Sequence, residues 1–302
     1  MTSGSPLEPG PGSILDRLAE RQLLVVTGKG GVGKTTLTSV LGRLLAERGR
    51  QVLLLEVDPR ESLHQALGTE PSGGARVQAG PRLWIQNLKP EVVIEGLVGE
   101  KVPIAFLARR IVDSDAFHQF VAGAPGLKET ALLGYAFRVL ESGSRPKVDL
   151  VLVDAPATGH GAAMLAAPGL LAQAAKGGQL GEMASELAAF LADATRCGVV
   201  LAALAEEMPV QETLELLELL RSRLGIRADL VVANGLYPKL APGTAAGAGA
   251  ELLRARRRLN EAELARLAAA WDGPLVELPL LALERGPALV EALAEAFKGA
   301  EP

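Results

Sequence analysis

The sequence predicts an α/β fold, a doubly wound and mainly parallel sheet with an inserted helical subdomain. Three observations carry this prediction. Short, almost unbroken apolar runs recur along the 302-residue chain, the pattern of strands buried on both faces of a sheet. Amphipathic helical stretches separate many of these runs, and a glycine-rich turn joins the first run to the first helix. The expected strands are Leu23–Thr27, Val52–Val57, Leu83–Asn87, Leu150–Asp154, Val199–Leu204, Leu230–Ala233 and Leu275–Leu278.

The first crossover helix is expected from Lys34 to Arg48, with Leu37, Val40, Leu41, Leu44 and Leu45 on one side and Gly49 as its stop. A second is expected over Pro209–Leu224. It has proline at the tolerated first position, Glu212 and Glu215 early, and Arg221 and Arg223 late, in keeping with the helix dipole. Segments of about 92–140 and 160–196 break the alternation. They are long and rich in Leu and Ala, and are expected to form helical insertions near the carboxyl ends of the strands, where ligand sites of open α/β sheets lie. Residues 1–20, opening with a Gly-, Pro- and Ser-rich stretch, are expected to be a disordered tail before one domain over 21–302, with Ala241–Ala250 as a flexible loop.

Composition narrows the function. With 48% apolar residues the chain can bury a large core. Its net charge of −4 supplies no general attraction to a nucleic-acid backbone or an anionic membrane, so nucleic acid is disfavoured as a partner. Cys197 is the only cysteine, and His64, His118 and His160 lie far apart, which argues against a disulfide framework or a structural zinc site within the chain. The longest apolar stretch, Ala162–Ala175, is broken by Pro168 and Gly169 and falls short of the roughly 20 residues that span a bilayer. No integral membrane segment and a cytoplasmic location are therefore expected.

The chemistry is concentrated in Gly28-Lys29-Gly30-Gly31-Val32-Gly33-Lys34-Thr35-Thr36. Gly28, four residues, then Gly33-Lys34-Thr35 satisfy the Walker A spacing in the strand–turn–helix context that such a loop requires. The glycines let the backbone curl so that successive N–H groups face phosphates, and the helix start adds its positive dipole end. Gly28 to Thr36 are thus the expected nucleotide-binding residues. Lys34 is placed on the β- and γ-phosphates and Thr35 on a magnesium ion, with ATP and Mg2+ as the cofactors. Leu150–Asp154 has the form of a Walker B strand, and Asp154 is the second expected magnesium residue.

Lys29 is not needed to cradle phosphate within one subunit. The loop from Gly28 to Thr36 resembles that of the ArsA, MinD and ParA superfamily, whose deviant Walker A lysine reaches a neighbouring subunit's nucleotide. The resemblance implies that Lys29 is catalytic across a dimer interface. Leu53–Pro59 and the residues after it resemble the switch I region of the arsenite-transporting and tail-anchored-protein-targeting ATPases, which implies that Asp58 orients the attacking water. Taken alone, Asp58-Pro59 also fits a helix-starting turn.

Asp154-Ala155-Pro156-Ala157-Thr158-Gly159-His160 is similar to that family's switch II, but Ala155, Pro156 and Ala157 depart from it. Asn234 at the end of Val231–Gly235, and Pro279 and Leu280 at the start of the final loop, resemble its base-binding residues. The resemblance runs from about Leu23 to Phe297 and implies a Mg-dependent ATP hydrolase working as a nucleotide-switched dimer. The dimer would be a homodimer, or a heterodimer with a paralogous ATPase, coupled to a partner or cargo.

A candidate cargo is a hydrophobic helix of a membrane-protein client. Ile104, Phe106, Leu107, Phe117, Phe120 and the segment Met164–Leu191 could line a groove for it, or could equally be the subdomain's own core. An arsenite-efflux subunit is one alternative, although a single cysteine cannot supply the soft thiolate cluster that a metalloid needs. A ParA- or MinD-like positioning ATPase is another, against which the acidic C-terminal stretch speaks. Arg254, Arg256, Arg257 and Arg258 could meet phosphates but also fit a solvated helix face near Glu261 and Glu263.

Overall fold

A computed structural model of the protein describes residues 12–57, 60–101, 126–141, 146–156, 161–175, 178–241 and 246–300, with isolated positions between 109 and 123. Its strands are β1 (Leu23–Thr27), β2 (Val52–Glu56), β3 (Val77–Gly80), β4 (Leu83–Asn87), β5 (Leu150–Asp154), β6 (Cys197–Leu204), β7 (Leu230–Leu236) and β8 (Leu275–Pro279). They form one sheet in the order β3-β4-β2-β5-β1-β6-β7-β8. Every neighbouring pair is parallel except β3 with β4. This is the doubly wound sheet that the apolar runs predict. The addition is β3, a short antiparallel edge strand whose half-exposed residues carry no continuous apolar run.

The helices are α1 (Ile14–Ala19), α2 (Lys34–Glu47), α3 (Ser62–Leu67), α4 (Pro90–Lys101), α5 (Leu127–Glu141), α6 (Gly161–Ala174), α7 (Gly178–Ala192), α8 (Glu207–Leu219, continued by a π turn over Leu220–Leu224), α9 (Ala248–Ala270) and α10 (Pro287–Ala300). Successive residues of a strand point to opposite faces, so each apolar strand feeds two cores. Leu24, Val26, Leu54, Leu152, Val200 and Val232 pack under α1, α2, α3 and α10. Leu23, Val25, Leu53, Val151, Val153, Val199 and Val231 pack with residues of α5 to α9 on the other face.

Three local expectations are corrected. The tail expected to run to residue 20 becomes helical at Ile14: Ser13 Oγ accepts the Asp16 N–H at 3.2 Å, while the Asp16 carboxylate accepts the Ser13 N–H at 3.1 Å. This capping box starts α1, which buries Ile14, Leu15 and Leu18. Pro209 sits third in α8 rather than first, because Glu206 is the N-cap; a proline in the first turn removes only an N–H that has no helical partner. The loop expected through Ala250 ends earlier, with α9 starting at Ala248.

One buried side chain locks α9 to the sheet. Asn260, 3% exposed, donates from Nδ2 to Ala205 O at 2.8 Å and accepts the Tyr237 N–H on Oδ1 at 2.9 Å, just past the carboxyl ends of β6 and β7. Asn260→Ala should leave both backbone groups unsatisfied and cost about 2–4 kcal/mol. Urea unfolding should show the midpoint falling with the slope unchanged, and a loss under about 1 kcal/mol would contradict the clamp.

Candidate functional site

The site lies at the carboxyl ends of the central strands. β1 is flanked by β5 and β6, with Val26 opposite Asp154 and Thr27 opposite Leu201. The chain leaves β1 at Gly28 and enters α2 at Lys34, so the glycine loop is held between the two neighbouring strand ends. The backbone there is open only to glycine. Gly28 has φ 144°, and a Cβ on it would lie 2.2 Å from Ala202 O; Gly33 has φ 93°, and a Cβ would lie 2.3 Å from Asn234 Nδ2.

Within that frame the polar residues converge. Thr35 Oγ1 donates to Asp154 Oδ2 at 2.5 Å. Thr38 Oγ1 donates to Lys34 O at 3.0 Å and lies 3.4 Å from Asp154 Oδ1. Lys34 Nζ donates to Lys29 O at 3.1 Å. Lys34 and Asp154 are both buried, at 6% exposed each. Burial pushes the Lys34 ammonium below its ordinary pKa, and the nearby Asp154 carboxylate partly opposes that shift. A bound anion would supply the charge compensation this ammonium needs.

A cavity of about 580 Å³ opens beside the loop. Gly31, Gly33, Lys34, Thr35, Thr36, Asp154, Ala155 and Pro156 line one side, and Glu56, Val57, Arg60, Ser62, Arg285 and Gly286 are among the residues lining the rest. The start of α2 therefore presents its N–H groups and positive dipole end beside a cavity lined by lysine and arginine, an arrangement suited to a polyphosphate. The donor set next to it fits magnesium. A hydroxyl and a carboxylate are hard oxygen ligands, and an ion bound partly through phosphate and water needs few protein groups. Among the described residues no group of three or more His, Cys, Asp or Glu could hold a metal. Burial pushes the Cys197 thiol up to about 12, so it is a protonated thiol at neutral pH.

Lys29 is set apart from this cluster. It does not line the cavity, its side chain is 53% exposed, and its Nζ lies 2.5 Å from Glu212 Oε1 on α8. Val32 is buried, and its carbonyl accepts the Asn234 amide at 2.9 Å. Asn234 thus holds the loop from β7. Pro279 ends β8, and the exposed Leu280 donates its N–H to Leu236 O at 2.8 Å; neither lines the cavity. Gly30 belongs to the loop without lining the cavity. Asp58 and Thr158, Gly159 and His160 lie outside the described residues, as do Ile104, Phe106, Leu107, Phe117 and Phe120. Met164 is in the core at 2% exposed, while Leu170 and Leu180 on α6 and α7 are exposed.

Sequence reasoning missed Glu56 and Arg285. Glu56 ends β2, is 1% exposed and accepts the Leu63 N–H on Oε2 at 3.0 Å, which ties the start of α3 to the cavity wall. An acid closing an otherwise apolar strand was the available signal. Arg285 stands just before α10, in the same loop as Leu280, and nothing in its spacing marks it.

Comparison with known proteins places this geometry. The model of the anion-transporting ATPase family (ArsA_ATPase) matches residues 21–188. "ATPase BagA" of Mycobacterium tuberculosis is 31% identical, over 74% of this chain and 67% of its own. "ATPase get3" of Sclerotinia sclerotiorum is 27% identical, over 97% of this chain and 94% of its own. "Putative arsenical pump-driving ATPase 1" of Aquifex aeolicus is 26% identical, over 49% of this chain and 38% of its own. The family match runs across the loop, β2 and the Asp154 strand together. The chain belongs to the anion-transporting ATPase (ArsA) family.

Proposed function

We propose that this protein is a magnesium-dependent ATP hydrolase working as a nucleotide-switched dimer, which couples hydrolysis to the handling of a partner or cargo. The observation that carries the reading is the division of labour between two lysines. Lys34 is buried beside Thr35 and Asp154 at the start of α2, whereas Lys29 leaves its own cavity and pairs on the surface. A lysine that cradled its own subunit's phosphates would line that cavity. One poised outside is suited to a second subunit's nucleotide.

Lys34 exchanges its bond to the Lys29 carbonyl for phosphate oxygens, and its buried charge then stabilises negative charge on the transferred group. Thr35 and Asp154 would hold magnesium, which neutralises phosphate charge and orients the group. Asp58 is proposed to position the attacking water. It stands in the chain between Val57 and Arg60, both of which line the cavity. Asn234, Pro279 and Leu280 are proposed on the base side, where Asn234 already bridges β7 and the loop. Glu56 links the cavity wall to α3, a route by which loss of phosphate would loosen the segment after β2.

A hydrophobic helix is the proposed cargo, supported by exposed Leu170 and Leu180 on α6 and α7. The positioning-ATPase alternative, with its membrane-binding last helix, is weaker here. α10 spends Val290, Leu293, Ala294 and Phe297 on the core, with Phe297 fully buried.

Lys34→Ala, Asp58→Asn and Asp154→Ala should each lower the turnover number for Mg-ATP by about 10²-fold or more, the scale of losing one preorganised charge contact. Steady-state phosphate release checks this, and full activity in all three would overturn the catalytic assignment. Separately, light scattering with Mg-ATP should show the parent chain dimerising and Lys29→Ala failing to. Glu212→Gln removes only a half-exposed pair, worth about 0–1 kcal/mol in each subunit, so it should leave dimerisation intact or strengthen it up to about thirtyfold. Dimerisation lost in Glu212→Gln and kept in Lys29→Ala would reverse the roles given to the pair.

A further inference from the structure

α9 is longer than the layer it belongs to. Asn260 marks the carboxyl rim of the sheet through its bonds to Ala205 and Tyr237, and the segment Ala248–Leu259 extends past that rim by up to about 18 Å at 1.5 Å per residue. Arg257 is drawn back to the rim, with Nε 3.0 Å from Glu261 Oε1 and Nη1 3.1 Å from Tyr237 O. The rest of the arm is differently disposed. Leu252 is 59% exposed and Leu259 58%, and Arg256 and Arg258 are exposed and enter no ion pair among the described residues.

The start of α8 lies at the same rim and has the opposite charge. Glu206, the N-cap, makes no side-chain cap bond, and Glu207 follows it; both are exposed and without an ion pair among the described residues. Met208 beside them is 64% exposed. Asn260 bonds to Ala205, so arm and foot adjoin, and Glu212, the holder of Lys29, follows little more than one turn later on α8. Ala250 buries the opposite side of this segment, so two exposed leucines and two arginines without an ion pair among the described residues form an outward face that adds little to the fold of one chain. They complement the methionine and two glutamates of a second copy, and a two-fold axis makes such a contact twice, each arm against the other copy's foot.

We propose that the arm of α9 holds the dimer together. Arg256 and Arg258 of one copy pair with Glu206 and Glu207 of the other, while Leu252 and Leu259 cover Met208. The inference rests on the nucleotide-dependent dimer proposed above and names the surface that makes it. Because the foot continues into the helix that carries Glu212, seating the arm and releasing Lys29 take place side by side.

Charge reversal tests this on the full chain. Arg256→Glu with Arg258→Glu in one variant, and Glu206→Arg with Glu207→Arg in another, should each weaken the Mg-ATP dimer by about tenfold or more in analytical ultracentrifugation. Mixed in equal amounts, the two variants should recover the dimer, because both clamps of the mixed pair again join opposite charges. Thermal melting of each variant alone, expected at the parent's temperature, separates this from misfolding. Reversed variants that dimerise like the parent, or a mixture that does not recover, would overturn the arm's role, including the case in which the arm serves an acidic protein of another kind. A parent chain that stays monomeric with and without nucleotide would instead remove the dimer itself.

Discussion

The hydrogen bond from Thr35 to Asp154 is the contact on which the rest of the site depends. It joins the first turn of α2 to the end of β5, and it forms because β1 runs between β5 and β6 with Val26 opposite Asp154. The parallel register thus brings the glycine loop and a carboxylate from 119 residues further along the chain to one point at the rim. Gly28 and Gly33 are the steric condition for that placement, since any side chain on them would collide with Ala202 or Asn234. The cavity, the buried lysine and the magnesium-competent oxygens all follow from this one alignment.

The two lysines of the loop illustrate how burial sorts identical side chains. Lys34 has lost most of its solvent, so its charge calls for an anionic ligand and its contribution to that ligand's binding is strengthened by the low local dielectric. Lys29 keeps its solvent, and its ion pair with Glu212 is weak enough to exchange for a better anion. In the proposed mechanism the first lysine makes a binding site, and the second makes that site answerable to another molecule. Under the proposed mechanism, nucleotide state and subunit contact are linked because the same short loop serves both.

Much of this was legible in the sequence. Parallel strands buried on both faces leave an unmistakable apolar trace, as in Leu23–Thr27 and Leu150–Asp154, and the phosphate loop needs particular residues at particular places. β3 left no such trace because an edge strand is half exposed and needs no continuous apolar run. α1 was hidden by the disorder-like composition before it, although Ser13 and Asp16 carry its capping box in plain view. Glu56 is marked only as an acid closing an apolar strand, Arg285 reaches the cavity through three-dimensional proximity alone, and the pairing of Lys29 with Glu212 spans elements whose spacing has no sequence signature. Side-chain position at a rim is a tertiary property, and periodicity does not encode it.

The central claim is that Lys29 acts on the nucleotide of another subunit while Lys34 acts on its own, and complementation measures this directly. A chain carrying Lys29→Ala mixed with one carrying Lys34→Ala forms dimers in which one cavity has its own Lys34 and the other subunit's Lys29. Mg-ATP hydrolysis by the equal mixture should rise well above that of either variant alone, because each mixed dimer holds one complete site and keeps one cross-subunit Lys29 contact, while each variant alone stays inactive. A mixture no more active than its components would place Lys29 in its own subunit's chemistry and contradict the account.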